Sequence, residues 1–209
     1  MTAPNDVAFS AAVKAEQAKR GSRRQFERAA EARPMRSTVT PDLVAFLGEL
    51  DHFYLGTASA DRQPYIQHRG GPKGFLKATD ERHLAFADFA GNRQYITLGN
   101  LAENPRAYMF LMHYPTQQRV KLWGTAEVIE DDPALLARLA DASYRAKPER
   151  VIRFRIEAWD INCRQHITPR YTQEDINAAA VKMAQRIAEL EAEVARLRAQ
   201  NSGAMVENA

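Results

Sequence analysis

The chain is short of most features that mark secreted, metal-clustered or membrane-embedded proteins. Its 209 residues contain one cysteine, Cys163. A single thiol excludes an intrachain disulfide and a thiolate-based zinc cluster. No apolar run approaches the roughly 18 residues needed to span a bilayer. The first apolar stretch, residues 8–13, is too short for a signal peptide and is followed by charges. These absences lead us to expect a cytoplasmic protein with no membrane partner. His52, His68, His83, His113 and His166 form no i, i+4 or His-x-His pair, so no metal site is expected. The chain also lacks Gly-x-Ser-x-Gly, a Walker spacing, and a Gly-x-Gly-x-x-Gly run between strand and helix. Net charge is scarce, since 29 Lys and Arg stand against 26 Asp and Glu, leaving +3. The densest basic run, residues 19–28 with Arg20, Arg23, Arg24 and Arg28, reads as a solvated helix face, with an anion-binding arm as the alternative. A nucleic-acid partner is not expected, because such binders gather their cations on one face.

What is present is an ordinary globular balance, 45% apolar and 26% charged. Residues 1–36 read as a polar helical arm, in which 9–36 form one or two short helices with Gly21 as a break. Thr40 and Pro41 then open a helix as N-cap and first residue, with Leu43, Phe46, Leu47 and Leu50 on one face. Strand patterns follow at 53–58, 64–69, 75–79, 83–89, 107–113, 119–129 and 151–161. Helices are expected at 95–102 and 133–144. About seven strands in roughly 110 residues, joined by hairpins, argue for a mainly β (α+β) fold built on a small antiparallel barrel, with a sandwich as the alternative. Residues 37–171 form that domain.

Ile176, Ala180, Met183, Ile187, Leu190, Val194 and Leu197 then repeat at alternating spacings of four and three. This is a heptad seam, and residues 172–200 read as a coiled-coil helix that favours self-association, with a helix lying on its own domain as the alternative. The helix is expected to end near Asn201 to Gly203, leaving 201–209 as a frayed tail.

Four stretches could carry chemistry. Residues 67–75 hold Gly70, Gly71 and Gly74 beside Arg69 and Lys73, where a hairpin needs only a short turn. Glycines with clustered cations suit an anion such as a phosphate, and an exposed turn is the plain alternative. Residues 88–95 put Asn92, Arg93 and Gln94 at a helix N-terminus, which favours anions or is simply capped. Arg119, Lys121 and Trp123 share one strand face, which calls for solvent, a ligand or another subunit. Trp159, Asn162, Gln165 and His166 could stack on or hydrogen-bond an aromatic ring. Cys163 reads as a small buried hydrophobe, and His166 as a structural histidine.

Five blocks then stand in order. They are Pro64-Tyr-Ile-Gln-His-Arg-Gly-Gly-Pro-Lys-Gly-Phe75, Leu84-Ala-Phe-Ala-Asp-Phe-Ala-Gly-Asn-Arg-Gln-Tyr95, Leu98-Gly-Asn-Leu-Ala-Glu-Asn104, Arg119-Val-Lys-Leu-Trp-Gly124 and Ile161-Asn-Cys-Arg-Gln-His-Ile-Thr-Pro169. Together they resemble the pyridoxamine 5′-phosphate oxidase-related, FMN-binding split-barrel family, over about residues 9–171. The resemblance implies a split barrel that forms a homodimer, with FMN in clefts at the subunit interface. A deazaflavin (F420) or FAD is the alternative cofactor. It places Arg69 and Lys73 near the ring and phosphate, and Arg93 and Gln94 where the family has a Ser-Arg-Lys run. Arg119 and Lys121 fall where a pair reaches across the interface, and Trp159 and Gln165 near the ring. With their neighbours the expected cofactor set is His68, Arg69, Gly70, Gly71, Pro72, Lys73, Asp88, Asn92, Arg93, Gln94, Arg119, Lys121, Trp159 and Gln165.

Gly71 and Pro72 depart from the oxidase's apolar run, and the oxidase's C-terminal Arg motif is missing. Flavin binding is therefore expected and vitamin B6 oxidation is not. The implied activity is FMN-dependent oxidoreduction between a nicotinamide-type donor and a small molecule, with a non-catalytic redox-sensing dimer as the alternative.

Overall fold

A computed structural model of the chain describes residues 4–206, with side chains as far as residue 198. The chain divides into two compact units, Met1–Ile167 and Thr168–Ala209.

The first unit opens with α1 (Pro4–Ala8), α2 (Ala11–Lys19) and α3 (Arg23–Ala32). Residues 9–36 thus hold two helices on either side of Gly21, as expected, and α1 precedes them. Ser10 caps α2 through its hydroxyl, and Gly21, at φ +76°, ends it. The Asn5 side-chain oxygen accepts the Met35 N–H at 2.8 Å, tying the start of the arm to its end. In α4 (Pro41–Gly48) the Thr40 hydroxyl accepts the Leu43 N–H at 3.3 Å, as a cap before an N-terminal proline should. Leu43 and Leu47 turn inward.

Seven strands follow, β1 (His52–Ala58), β2 (Pro64–Gly70), β3 (Lys77–Ala78), β4 (His83–Phe89), β5 (Arg106–His113), β6 (Gln118–Ile129) and β7 (Pro148–Ile161). α5 (Ile96–Glu103) joins β4 to β5, and α6 (Pro133–Leu139) joins β6 to β7. α6 stops short of the expected 144 because Asp141 accepts both the N–H and O–H of Ser143 at 2.8 and 2.6 Å. That local turn competes with another helical turn.

The strands form one antiparallel sheet ordered β2-β1-β5-β6-β7-β4-β3. Period-two alternation sends Phe53, Leu55, Met109, Leu111, Val120 and Leu122 to one side, where Phe86, Ile152 and Phe154 complete the core. Burying each such side chain contributes about 1.5–3 kcal/mol, which curls the sheet around that core.

β2 and β4 are separated in the ladder by β1, β5, β6 and β7, yet Arg69 of β2 lies 2.5 Å from Asp88 of β4. The ends of the sheet meet through side chains, not through a ladder. That is a split barrel with peripheral helices. Gly124 marks the tightest approach, at the register shift between β6 and β7. A Cβ there would stand 1.9 Å from the Arg155 carbonyl oxygen.

The second unit holds α7 (Gln173–Val206). Thr172 caps it reciprocally. Its N–H and O–H donate to Asp175 at 2.9 and 2.8 Å, and its hydroxyl accepts the Asp175 N–H at 3.1 Å. The helix runs through Asn201–Gly203, where an end was expected. One interior glycine costs about 1 kcal/mol, too little to stop a cooperative helix. Residues 207–209 of the expected tail lie outside the described residues. No helix of the described residues is long and apolar enough to cross a membrane.

Candidate functional site

On β2, Arg69 and Gln67 pair across from Phe53 and Leu55, so they point toward the barrel interior. His68, between them, points outward. At the mouth where β2 meets β4, Arg69 Nη1 donates to Asp88 Oδ1 at 2.5 Å, and Arg150 Nη1 reaches Asp88 Oδ2 at 3.4 Å. Asp88 is 5% exposed. A buried carboxylate needs such partners, since an unpaired one is far too costly to keep charged.

Burial pushes the Arg69 guanidinium down from its ordinary value, and Asp88 works against that shift. For Arg150, burial pulls down as well, but Asp88, Glu149 and Glu130 outweigh it and hold the group above its usual value. The Arg69 Nε is buried and has no hydrogen-bond partner.

Beside this cluster is an open cleft of about 190 Å³, lined among others by Gln67, Arg69, Asp88, Arg93, Tyr95 and Arg150. Its rim is strained. Arg93 and Tyr95 sit at φ 59° and 54°, a left-handed conformation that side-chain-bearing residues avoid. Asn92 stabilises the bend by accepting the Gln94 N–H at 3.2 Å. No side chain caps α5 at Tyr95. The Thr97 hydroxyl in its first turn donates to Gln67 at 2.7 Å, anchoring α5 to β2. Arg150 packs over the Tyr95 ring at 5.7 Å. The cleft therefore offers three guanidinium groups, a strained polar loop and a helix start, against the carboxylates Asp88 and Glu149. That is the chemistry of an anion subsite in which three cations outnumber two built-in carboxylates.

The glycine-rich turn, expected to be part of an anion cradle, is placed elsewhere. The N–H groups of Gly71 and Gly74 donate to the Asp51 and Leu50 carbonyls at 2.9 and 2.8 Å. Gly74 is at φ +76°, and a Cβ on Gly71 would meet the Phe75 ring at 2.6 Å. Lys73 pairs with Glu49 at 2.7 Å on the surface. Gly70, Gly71, Pro72 and Lys73 do not line the cleft. The glycines serve the close packing of this turn against the end of α4.

A second cationic region lies on the outer face of the sheet, where Tyr108, Phe110 and Met112 of β5 pair with Trp123, Lys121 and Arg119 of β6. Lys121 sits over the Trp123 ring at 5.3 Å, and Tyr108 packs edge-on against Trp123 at 5.3 Å. Burial lowers the Lys121 ammonium, with Asp160 opposing, and pushes the Tyr108 hydroxyl up to about 12. The Arg119 Nε is buried without a partner. On the same face His68 stacks on His52 at 5.6 Å.

Trp159 is not available to stack on a ligand ring. It is 2% exposed, its Nε1 donates to the Thr38 carbonyl at 2.8 Å, and Arg36 covers its ring at 5.0 Å. The register shift between β6 and β7 resets the parity of β7 after Ile156 and sets Trp159 opposite the inward-facing Leu122. Gln165 is exposed, and so is Cys163, which was expected to be buried. The residue that sequence reasoning missed is Arg150. Nothing local distinguishes it on β7, and its role appears only once β7 pairs with β4 beside Asp88.

The profile of the pyridoxamine 5′-phosphate oxidase family matches residues 39–163, more than half of the chain. Solved structures with a similar fold include a putative pyridoxamine 5′-phosphate oxidase from Lactobacillus delbrueckii, 24% identical, covering 60% of this chain and 95% of its own, with a TM-score of 0.45. An FMN-binding protein from Syntrophomonas wolfei is 10% identical and covers 69% and 97%, with a TM-score of 0.48. HupZ of Group A Streptococcus is 14% identical and covers 64% and 99%, with a TM-score of 0.49. Comparison with curated proteins finds no match.

Proposed function

We propose a flavin-holding, FMN-dependent redox role for this chain, which belongs to the pyridoxamine 5′-phosphate oxidase family. The observation that carries the proposal is Arg69. Its guanidinium is fixed at the mouth of the barrel by Asp88, and one N–H is left buried and unpartnered beside a cleft that Arg93 and Arg150 also line. That donor set fits a phosphate monoester. The cleft's volume of about 190 Å³ suits the phosphate end of the cofactor better than a whole tricyclic ring. FMN is the favoured cofactor, with a deazaflavin or FAD as alternatives.

When bound, a flavin supplies hydride acceptance and donation at its N5. The chain's own residues bind and orient. Arg69 and Arg93 hold the phosphate, Asp88 fixes the direction of Arg69, and Tyr95 with Arg150 shapes the rim. Arg119 and Lys121 present positive charge on the outer face, with Asp160 opposite Lys121 on β7 as the nearby carboxylate. On our reading that face meets a second copy and completes the cofactor site in a homodimer. A nicotinamide-type donor and a small-molecule acceptor are the proposed reactants.

The protein purified from cells should be yellow, and NAD(P)H should bleach its flavin absorbance. Stripped protein titrated with FMN, FAD and F420 should take up FMN most tightly. A colourless protein that gains none of the three in titration overturns the proposal. Tight binding without turnover by any donor selects the non-catalytic, redox-sensing reading instead.

A further inference from the structure

The strongest unexplained feature is the apolar stripe of α7. Ile176, Met183, Ile187, Leu190, Val194 and Leu197 are between 45% and 66% exposed. On the seven-residue repeat, Ala180, Ile187 and Val194 occupy the a positions, and Ile176, Met183, Leu190 and Leu197 the d positions. The half from 187 to 197 has β-branched residues at a and leucine at d. That combination packs best as a parallel two-stranded coil, because β-branched side chains fit the a geometry of a parallel dimer.

The flanking charges are more specific than the stripe. Arg186 and Glu193 lie at g, and Glu191 and Arg198 at e. In a parallel in-register pair each g residue meets the e residue five positions further along the other helix. Arg186 then faces the partner's Glu191, and Glu193 faces the partner's Arg198. Every charged g–e pair is attractive, and two-fold symmetry doubles each one.

A slip of one heptad reverses this. Arg186 would meet the partner's Arg198, and Glu193 the partner's Glu191, so both contacts become repulsive. An antiparallel pair keeps Arg186 against the partner's Glu193 but leaves Glu191 opposite the partner's Ala184. It thereby loses half of the charge complementarity. The intrahelical pairs of Arg186 with Glu189 at 2.9 Å and Arg196 with Glu193 at 2.5 Å are solvent-exposed. Exposed pairs of this kind contribute little and do not bar the interhelical contacts.

We infer that α7 is the docking surface for α7 of a second copy of this chain, in a parallel, in-register, two-stranded coiled coil. The inference does not rest on flavin binding, and each can fail alone.

The test uses full-length protein carrying Cys163→Ser, so that no native thiol competes. Leu190→Cys places a thiol at d, and Ala192→Cys places one at f on the outer face of the same helix. Under mild oxidation the d variant should form disulfide-linked dimers at least ~10-fold faster than the f variant, because only core positions bring like residues together in register. Adding Glu191→Arg to the d variant sets Arg186 against arginine and should lower that rate several-fold. Combining Arg186→Glu with Glu191→Arg should restore it.

Equal rates at d and f, no dimer from Leu190→Cys, or no response to Glu191→Arg would each overturn the inference. Helix content by circular dichroism, with and without dilution, guards against loss of α7 itself. It should fall on dilution if the coil holds the helix. Flavin content, measured on the same samples, should stay unchanged in every variant.

Discussion

Arg69 and Arg119 make an instructive pair. Each is on a strand of the same barrel, each buries an Nε with no partner, and each stands in a short block that reads as cofactor-binding. Their surroundings differ. Arg69 faces inward and is held by a buried carboxylate from its own chain, with Arg150 on the other side of that carboxylate. Arg119 faces outward among Tyr108, Lys121 and Trp123, and no carboxylate of the described residues pairs with it. The first arrangement is electrostatically closed within one chain, so it can position a group precisely where the barrel ends meet. The second is half-buried and gives two cations one nearby carboxylate, Asp160 opposite Lys121, so Arg119 itself has no counter-charge paired with it among the described residues. A polar residue in the interior brings its counter-charge with it, whereas one on an interface can leave that charge to the partner.

The sharpest way to break this contrast is to remove the internal carboxylate. Asp88→Ala should lower unfolding free energy by about 3–5 kcal/mol, because two arginines lose a buried partner. Urea denaturation measures this, and a loss below about 1 kcal/mol would mean the cluster is not closed as described.

Gly124→Ala comes next, since Gly124 sets the register shift beside Trp123 of the open face. A Cβ there meets the Arg155 carbonyl at 1.9 Å. Overpacking of this kind costs about 1–3 kcal/mol or more, so the melting temperature should drop by several degrees. A variant as stable as the parent would show that the approach relaxes freely.

The two arginines can then be compared directly. Arg69→Ala should weaken FMN binding by roughly 10–100-fold, the loss expected for charge-assisted hydrogen bonds, and should destabilise the fold as well. Arg119→Ala should leave monomer stability within about 1 kcal/mol while weakening dimerisation and FMN retention. Equilibrium titration together with sedimentation separates the two outcomes. Identical behaviour of both variants would erase the distinction.

The smallest effect concerns Lys121. Burial lowers its folded-state pKa below the unfolded value, so the unfolded chain holds the proton more tightly. The penalty for burying this charge is present in full below the folded pKa. It is relieved as pH rises through that value, so stability should increase toward alkaline pH. Melting temperature against pH should show this rise in the parent and lose it in Lys121→Met. A rise that persists in the variant assigns it to another group.

Much of the fold was legible in the residues. Thr40-Pro41, the alternation along β6 and the heptads of α7 are local signals, and each follows from one periodicity or one cap. The site was legible in part. Arg69, Asp88, Asn92 and Arg93 were singled out and do converge on the cleft. The glycine turn was misplaced because glycine permits a close approach without saying to what. Gly71 and Gly74 approach Phe75 and the end of α4, not a ligand. Trp159 looked free to stack, but the register shift between β6 and β7 breaks the strand's alternation and turns it inward. Arg150 could not be found, since its partner is 62 residues away.

Sequence alone determined the caps, the outward cations of β6 and the heptad seam of α7, because these depend on neighbours within a turn or a strand. Tertiary structure alone decided that Arg69 and Arg150 share Asp88, and that the cleft opens there. The reason is geometric. Strands β2 and β4 occupy separate places in the ladder, and only curling of the sheet around the core brings their side chains within hydrogen-bonding reach.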